Sequence, residues 1–131
     1  MSLSSMLNAD QETLGKAVLN VLRSQDPARD IYSFVDSLLA TKKEQAVSAL
    51  IKVLKYLAQN STDEEFRNFY GYVLTSISDT NENVVSNFME ILMDAQSYLD
   101  PNAQIKESNA LNNALAILPK DTSKRIISKL Q

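Results

Sequence analysis

Apolar residues recur at steps of three and four through nearly the whole of this chain, the spacing that gathers side chains on one face of a 3.6-residue helix. Only two glycines and three prolines interrupt the 131 residues, too few for many tight turns or long loops. The chain is therefore expected to be all-α and without strands. It should form a single-domain bundle of six main helices plus a short C-terminal helix, arranged as antiparallel helical hairpins. Its length suits one core, with about two thirds of the unfolded surface removed from water on folding.

Residues 1–8 read as a mostly polar lead-in with no assigned role, and Met1-Ser2-Leu3 has the character of a vector-derived start. The domain proper is expected over residues 9–131. Helix one runs from about Ala9 to near Ser24 on Leu14, Ala17, Val18, Val21 and Leu22, with Asn8 or Asp10 as its cap. Asp26-Pro27 is a start signal, and Ile31, Phe34, Val35, Leu38 and Leu39 then carry helix two to about Ala40. Thr41 and Glu44 have capping-box separation, so helix three is expected from Lys42 to about Gln59, paired with helix two as an αα-hairpin. Its apolar side is Val47, Leu50, Ile51, Leu54, Leu57 and Ala58 with Ala46 and Val53 flanking, an arc wide enough to predict a central place.

Helix four has two alternative capping boxes, Ser61 with Glu64 and Thr62 with Glu65, ahead of Phe66, Phe69, Tyr70, Val73, Leu74 and Ile77. The turn Ser78-Asp79-Thr80-Asn81 leads to two helices predicted as a hairpin. These are Glu82 to about Tyr98 and about Ala103 to Leu118, joined at Leu99-Asp100-Pro101-Asn102. The second arm sets Ile105, Leu111, Ala114, Leu115 and Leu118 among Asn109, Asn112 and Asn113, which are poor interior helix formers. Beyond Pro119 a last helix is expected from about Thr122 to Leu130 on Ile126, Ile127 and Leu130. No repeat of fixed period is strong enough to read as a solenoid.

Composition bears on function mainly through what is missing. Histidine and cysteine are both absent, which removes the usual general base, the thiolate nucleophile and the commonest metal ligands, so neither catalysis nor a metal site is expected. Gly15 and Gly71 are the only glycines and lie far apart, so no glycine-rich phosphate loop exists and no cofactor is expected. A net charge of −3 without long runs of either sign gives no footprint for nucleic acid or an anionic membrane, and Lys42-Lys43 and the pair Lys52 and Lys55 read as solvated helix ends or faces. No apolar run approaches a membrane span and no secretory signal opens the chain, which points to a cytoplasmic protein whose partners are other proteins.

Six residues are candidates for a protein interface. Gly71 falls inside helix four, where it costs about 1 kcal/mol relative to alanine unless the space is used. Either another helix of the chain approaches closely there, or a second subunit does, with Tyr72 as its anchor. Met89 and Met93 lie on the edge of the apolar face of helix five, as gap-filling core or as part of a binding surface. Asn109, Asn112 and Asn113 are the remaining candidates, as a polar face turned to a partner.

The segment from Asp30 to Leu54 resembles bacterial DNA polymerase III clamp-loader subunits. In that family an apolar helix bearing an aspartate is followed by a short break and a helix with an alanine and a leucine four apart. Phe34, Val35, Asp36 and Leu38, then Ala46 and Leu50, match this pattern. Phe66 to Ile77 stands where the family has a helix bearing an aromatic, and Val84 to Leu99 with Asn102 resembles the long helix of the delta-prime subunit, with gamma/tau next in likeness. The resemblance covers about Leu14 to Leu118. It implies a C-terminal collar domain, which joins loader subunits into a ring in DNA replication, with ATP hydrolysis and clamp contact in parts outside this sequence. The alternative is an α-helical adaptor of another pathway that holds a partner helix in a groove.

Overall fold

Helix starts are set by short polar side chains or prolines that serve the orphan amides of a first turn. In the computed structural model, which describes residues 3–130, α1 (Gln11–Leu22) is capped by Asp10, whose carboxylate accepts from the Thr13 N–H at 2.7 Å. Pro27 opens α2 (Pro27–Ala40), and α3 (Lys43–Asn60) follows after two extended residues, Thr41 and Lys42. Thr62 and Glu65 form a complete capping box on α4 (Asp63–Ser78), with Glu65 N–H donating to Thr62 Oγ1 at 3.1 Å and Thr62 N–H to Glu65 Oε1 at 2.9 Å. Asn81 caps α5 (Glu82–Gln96), and Asp100 caps α6 (Pro101–Ile117). The last helix is α7 (Lys120–Leu130).

These six main helices and the shorter α7 are those expected from the sequence, with shifts that have local causes. The Thr41–Glu44 box does not form. Lys42 takes the cap position, so Glu44 falls one place short of the third helical residue, and the Thr41 hydroxyl donates to the Gln45 side chain instead. Pro101 belongs to α6, not to the linker, because the amide it lacks would be unpaired at a first helical position. The lead-in also has a structural place, since Leu3–Met6 forms a 3-10 helix against α1 and α2 with Leu3 buried. Met1, Ser2, Gln131 and the side chain of Leu130 lie outside the described residues.

Packing alternates between two layers. Helices α1, α3, α5 and α7 lie side by side in one, and α2, α4 and α6 in the other, each helix resting chiefly on the helix two places along. This stacking lacks a fixed sequence period, which is why it was not legible as a repeat. The expected α5–α6 hairpin is accordingly corrected: α5 packs on α3 and α6 on α4, and the hydrogen bonds between α5 and α6 gather near their junction. Between the layers lie Phe34, Phe69, Tyr70 and Phe88, all wholly buried, and α4 supplies an aromatic row in which Tyr70 stacks on Phe66 at 5.8 Å and meets Phe69 edge-on at 5.7 Å.

The end of the stack is tied back by Arg125 of α7. Its guanidinium donates to the carbonyls of Ser78 and Thr80, the latter at 2.9 Å, and to Glu82 at 3.1 Å, while Lys129 pairs with Glu82 at 3.2 Å. Ile126 beside it is fully buried.

The two glycines differ in kind. A Cβ on Gly15 would fall 2.2 Å from Cγ and 2.3 Å from Cβ of Tyr56, so the bare backbone lets α1 close on α3, and the atoms met lie at the root of the tyrosine where they cannot swing away. A Cβ on Gly71 would meet nothing within 4 Å, which overturns the expectation that a neighbouring helix crowds it. Gly15→Ala is expected to destabilise the protein by about 1–3 kcal/mol through overpacking. Gly71→Ala is expected to stabilise it by about 1 kcal/mol through helix propensity. Urea unfolding of the two variants checks both signs, and a stable Gly15→Ala would refute the close packing.

Candidate functional site

A groove follows α3. Of its apolar arc, Ala46, Ala49, Leu50, Val53, Leu54 and Leu57 are buried between the layers, whereas Val47 and Ile51 stand at the boundary and remain half-buried. The buried face is thus turned slightly from the one expected, toward Ala46 and Val53. Val47 and Ile51 form the floor of a groove of about 720 Å³ running between α1 and the end of α5, and Tyr98, 66% exposed, stands on its far wall. Lys55 and Gln11 continue it into a second recess of about 300 Å³ reaching Gln59 and Asn102.

Charge is unevenly placed along this groove. At one end Lys43 is neutralised by Glu90 at 2.6 Å and Asp94 at 3.1 Å, hydrogen bonds that hold its ammonium above the ordinary lysine range. At the other end Lys52 donates to the carbonyls of Ala9 at 2.8 Å and Leu7 at 3.5 Å, and neither Lys52 nor Lys55 has an acid within ion-pair distance among the described residues. Asp100, in the same recess as Lys55, is turned to its own helix and accepts from Ala103 N–H at 2.8 Å. The lysine pair that read as a solvated face therefore rims a groove.

The six interface candidates do not gather into one surface. Met89 is buried at 1% exposure and is core, filling space beneath α5, so it is withdrawn from any interface. Tyr72 is half-buried against the core on α4. Asn109, Asn112 and Asn113 are exposed on α6, the first and last lining a recess of about 140 Å³ against the start of α4. Met93, 45% exposed, lines a separate recess at the α5–α6 junction. Ile105, taken from the sequence as part of the α6 stripe, is 62% exposed. It lies six residues from Leu111, about 240° round a helix of 3.6 residues per turn.

The residue that completes the α6 stripe is an acid. Ala103, Glu107, Ala110, Leu111, Ala114 and Leu115 share the buried face, and Glu107 is only 1% exposed. Its Oε2 accepts from the Tyr70 hydroxyl of α4 and from Gln96 Nε2 of α5 at 2.6 Å. Burial pushes the Glu107 acid up from its ordinary value of 4.5, against the pull of these donors, and burial likewise drives the Tyr70 phenol well above 10.0. At the surface the reverse holds: hydrogen bonds from Arg23 and the Thr62 amide hold Glu65 down at about 2.

Compared with protein-family models, curated proteins and solved structures, the chain matches none. No helix among the described residues is long and apolar enough to cross a membrane.

The two shifted acids give stability opposite slopes. The unfolded chain releases the Glu107 proton near 4.5 and the folded chain keeps it to higher pH, so this contribution is complete below 4.5 and declines as pH rises through the raised value. Glu65 contributes above 4.5 and loses that contribution as pH falls toward about 2. Glu107→Gln is expected to abolish the decline on the alkaline side while leaving the acid loss in place, as read by urea unfolding at stepped pH. Asn112→Ala with Asn113→Ala should leave stability equal or raised by a few tenths of a kcal/mol, roughly the propensity gain at exposed helix positions. Thermal unfolding would expose a contrary network as a cooperative loss of more than about 2 kcal/mol.

Proposed function

We propose that this chain is a non-catalytic protein-interaction domain that receives an amphipathic helix of a partner protein along α3. The observation that carries this reading is the half-buried apolar strip of Val47 and Ile51, with exposed Tyr98 across from it, lying beside Lys52 and Lys55, neither of which has an acid within ion-pair distance among the described residues. A helix laid in a groove buries its apolar face at i, i+3, i+4 and i+7. From Lys43 to Gln59 the groove spans ~24 Å at 1.5 Å per residue, which suits a helix of about sixteen residues. The partner's acids belong at the Lys52 and Lys55 end, because Lys43 is already neutralised by Glu90 and Asp94. The absence of histidine and cysteine from the sequence supports a binding role over a chemical one.

Selection of a displayed library of sixteen-residue amphipathic helices against the chain tests the reading. Binders are expected to share an apolar i, i+3, i+4, i+7 face with acids toward one end, and to shift the methyl resonances of Val47 and Ile51. Lys52→Glu with Lys55→Glu should weaken them at least about ten-fold, equivalent to 1.4 kcal/mol, and Lys55→Glu alone, which leaves the bonds of Lys52 to the Ala9 and Leu7 carbonyls in place, should weaken them without lowering the melting temperature. Binders that leave those methyls unmoved, or that survive the charge reversal, would sink the proposal.

In its narrower form, supported by the resemblance over residues 14–118, the domain is the collar of a DNA polymerase III clamp-loader subunit and the helix belongs to a neighbouring subunit. Affinity capture from the source cell with mass spectrometry decides this form. Polymerase III subunits should be recovered with the wild-type chain and lost with the lysine reversal, and their consistent absence leaves an adaptor of another pathway.

A further inference from the structure

Glu107 is the buried charged residue among the described side chains, and helix binding along α3 makes no use of it. Every group that steadies its carboxylate is neutral: the Tyr70 hydroxyl from α4, the Gln96 amide from α5 and the Ser108 hydroxyl beside it on α6. The charged groups nearby in sequence are engaged elsewhere. Lys106 donates to the Ala58 carbonyl at 2.9 Å, and Glu90 and Asp94 hold Lys43. A carboxylate in this setting lacks only a cation, and a buried charge without one is costly to ionise.

The carboxylate also borders open space. It lines a recess of about 310 Å³ between the end of α5 and α6, whose rim carries Met93, Ser97, Gln104 and Ser108. Ser97, Gln104 and Ser108 offer neutral oxygens, and Met93, 45% exposed, offers an apolar wall. Gln104 is exposed and held only by a long 3.3 Å bond from its amide to the Gln96 carbonyl, so it gives way readily.

We infer that this recess binds a primary ammonium group, with Glu107 as the counter-ion, the serine and glutamine oxygens as further acceptors, and Met93 against the attached methylenes. An ammonium carries three donors and no acceptor, which matches a site offering one carboxylate and neutral oxygens. Its alkyl stem is the kind of chain that packs on methionine while the charge reaches a polar partner. The upward push that burial gives Glu107 makes binding and proton release one event, so affinity rises with pH while the ligand stays protonated. The ammonium comes either from a lysine of another protein or from a small free amine, and two probes separate these sources.

The full chain, labelled with carbon-13, is titrated at constant ionic strength with n-butylammonium and, separately, with N-acetyl-lysine N-methylamide. The expected result near pH 4.5, where the raised acid keeps its proton, is a saturable movement of the Glu107 carboxyl resonance toward its ionised position, accompanied by the Met93 methyl. Glu107→Gln, which keeps the shape and an acceptor for both donors, should weaken binding at least about ten-fold. A response reproduced by potassium chloride alone, or a Met93 shift that persists unchanged in Glu107→Gln, overturns the site. A second measurement needs no variant: affinity of the wild-type chain must rise from about pH 4, below the ordinary carboxyl value, to about pH 8, with the probes charged throughout, and a flat profile also overturns it. Tighter binding of the lysine derivative upholds the site and assigns the ammonium to a partner protein, whereas equal or tighter binding of n-butylammonium upholds it and assigns a free amine.

Discussion

Seating each helix on the one two places along is the constraint on which the rest of this structure depends. It requires consecutive helices to change layer, so the connections stay short and the inner helices have neighbours on several sides. Helix α4 answers with a nearly continuous buried surface of Phe66, Phe69, Tyr70, Val73, Leu74 and Ile77, and α3 with its broad aliphatic arc. The same arrangement opens the groove, because α1 and α5 both pack on α3 and the groove lies along α3 between them. Gly15 sets how low one of these walls sits, since a side chain there would collide with Tyr56.

Much of this was legible in the sequence. Helix existence followed from apolar spacing, and most boundaries from side chains that act within four residues, such as Asp10, Thr62 and Asn81, whereas the start of α6 at Pro101 behind its Asp100 cap was read as linker. Which helix packs on which was harder to read. Periodicity reports that a face is buried but not what covers it, so a short connection at Asp100-Pro101 suggested a hairpin where the chain in fact steps between layers. Ile105 shows the related error of counting a residue as core for its chemistry when its angular position places it outside.

The candidate sites were less visible because both arise from distant residues. Lys52 and Lys55 are an ordinary pair until Tyr98 and Gln11 are brought beside them. Glu107 did leave a trace, as an acid at the place where the stripe of Ala103, Ala110, Leu111 and Ala114 calls for an apolar residue. Its meaning depends on Tyr70, 37 residues earlier, which no local pattern connects to it. Met89 and Met93 make the same point from the other side: four residues apart on one helix, one is core and the other lines a recess, because α5 has a neighbour over only part of its circumference.

Arg125 has a consequence for how the end of the molecule moves. The carbonyls of Ser78 and Thr80 close α4 and its turn, and their partner is a guanidinium 47 and 45 residues further on. Two segments far apart in the chain are thereby made a single opening unit, since lifting α7 strips the acceptors at the end of α4 at the same moment. The last helix acts as a latch on the middle of the protein, and slack at the C-terminus is felt first at the entrance to α5.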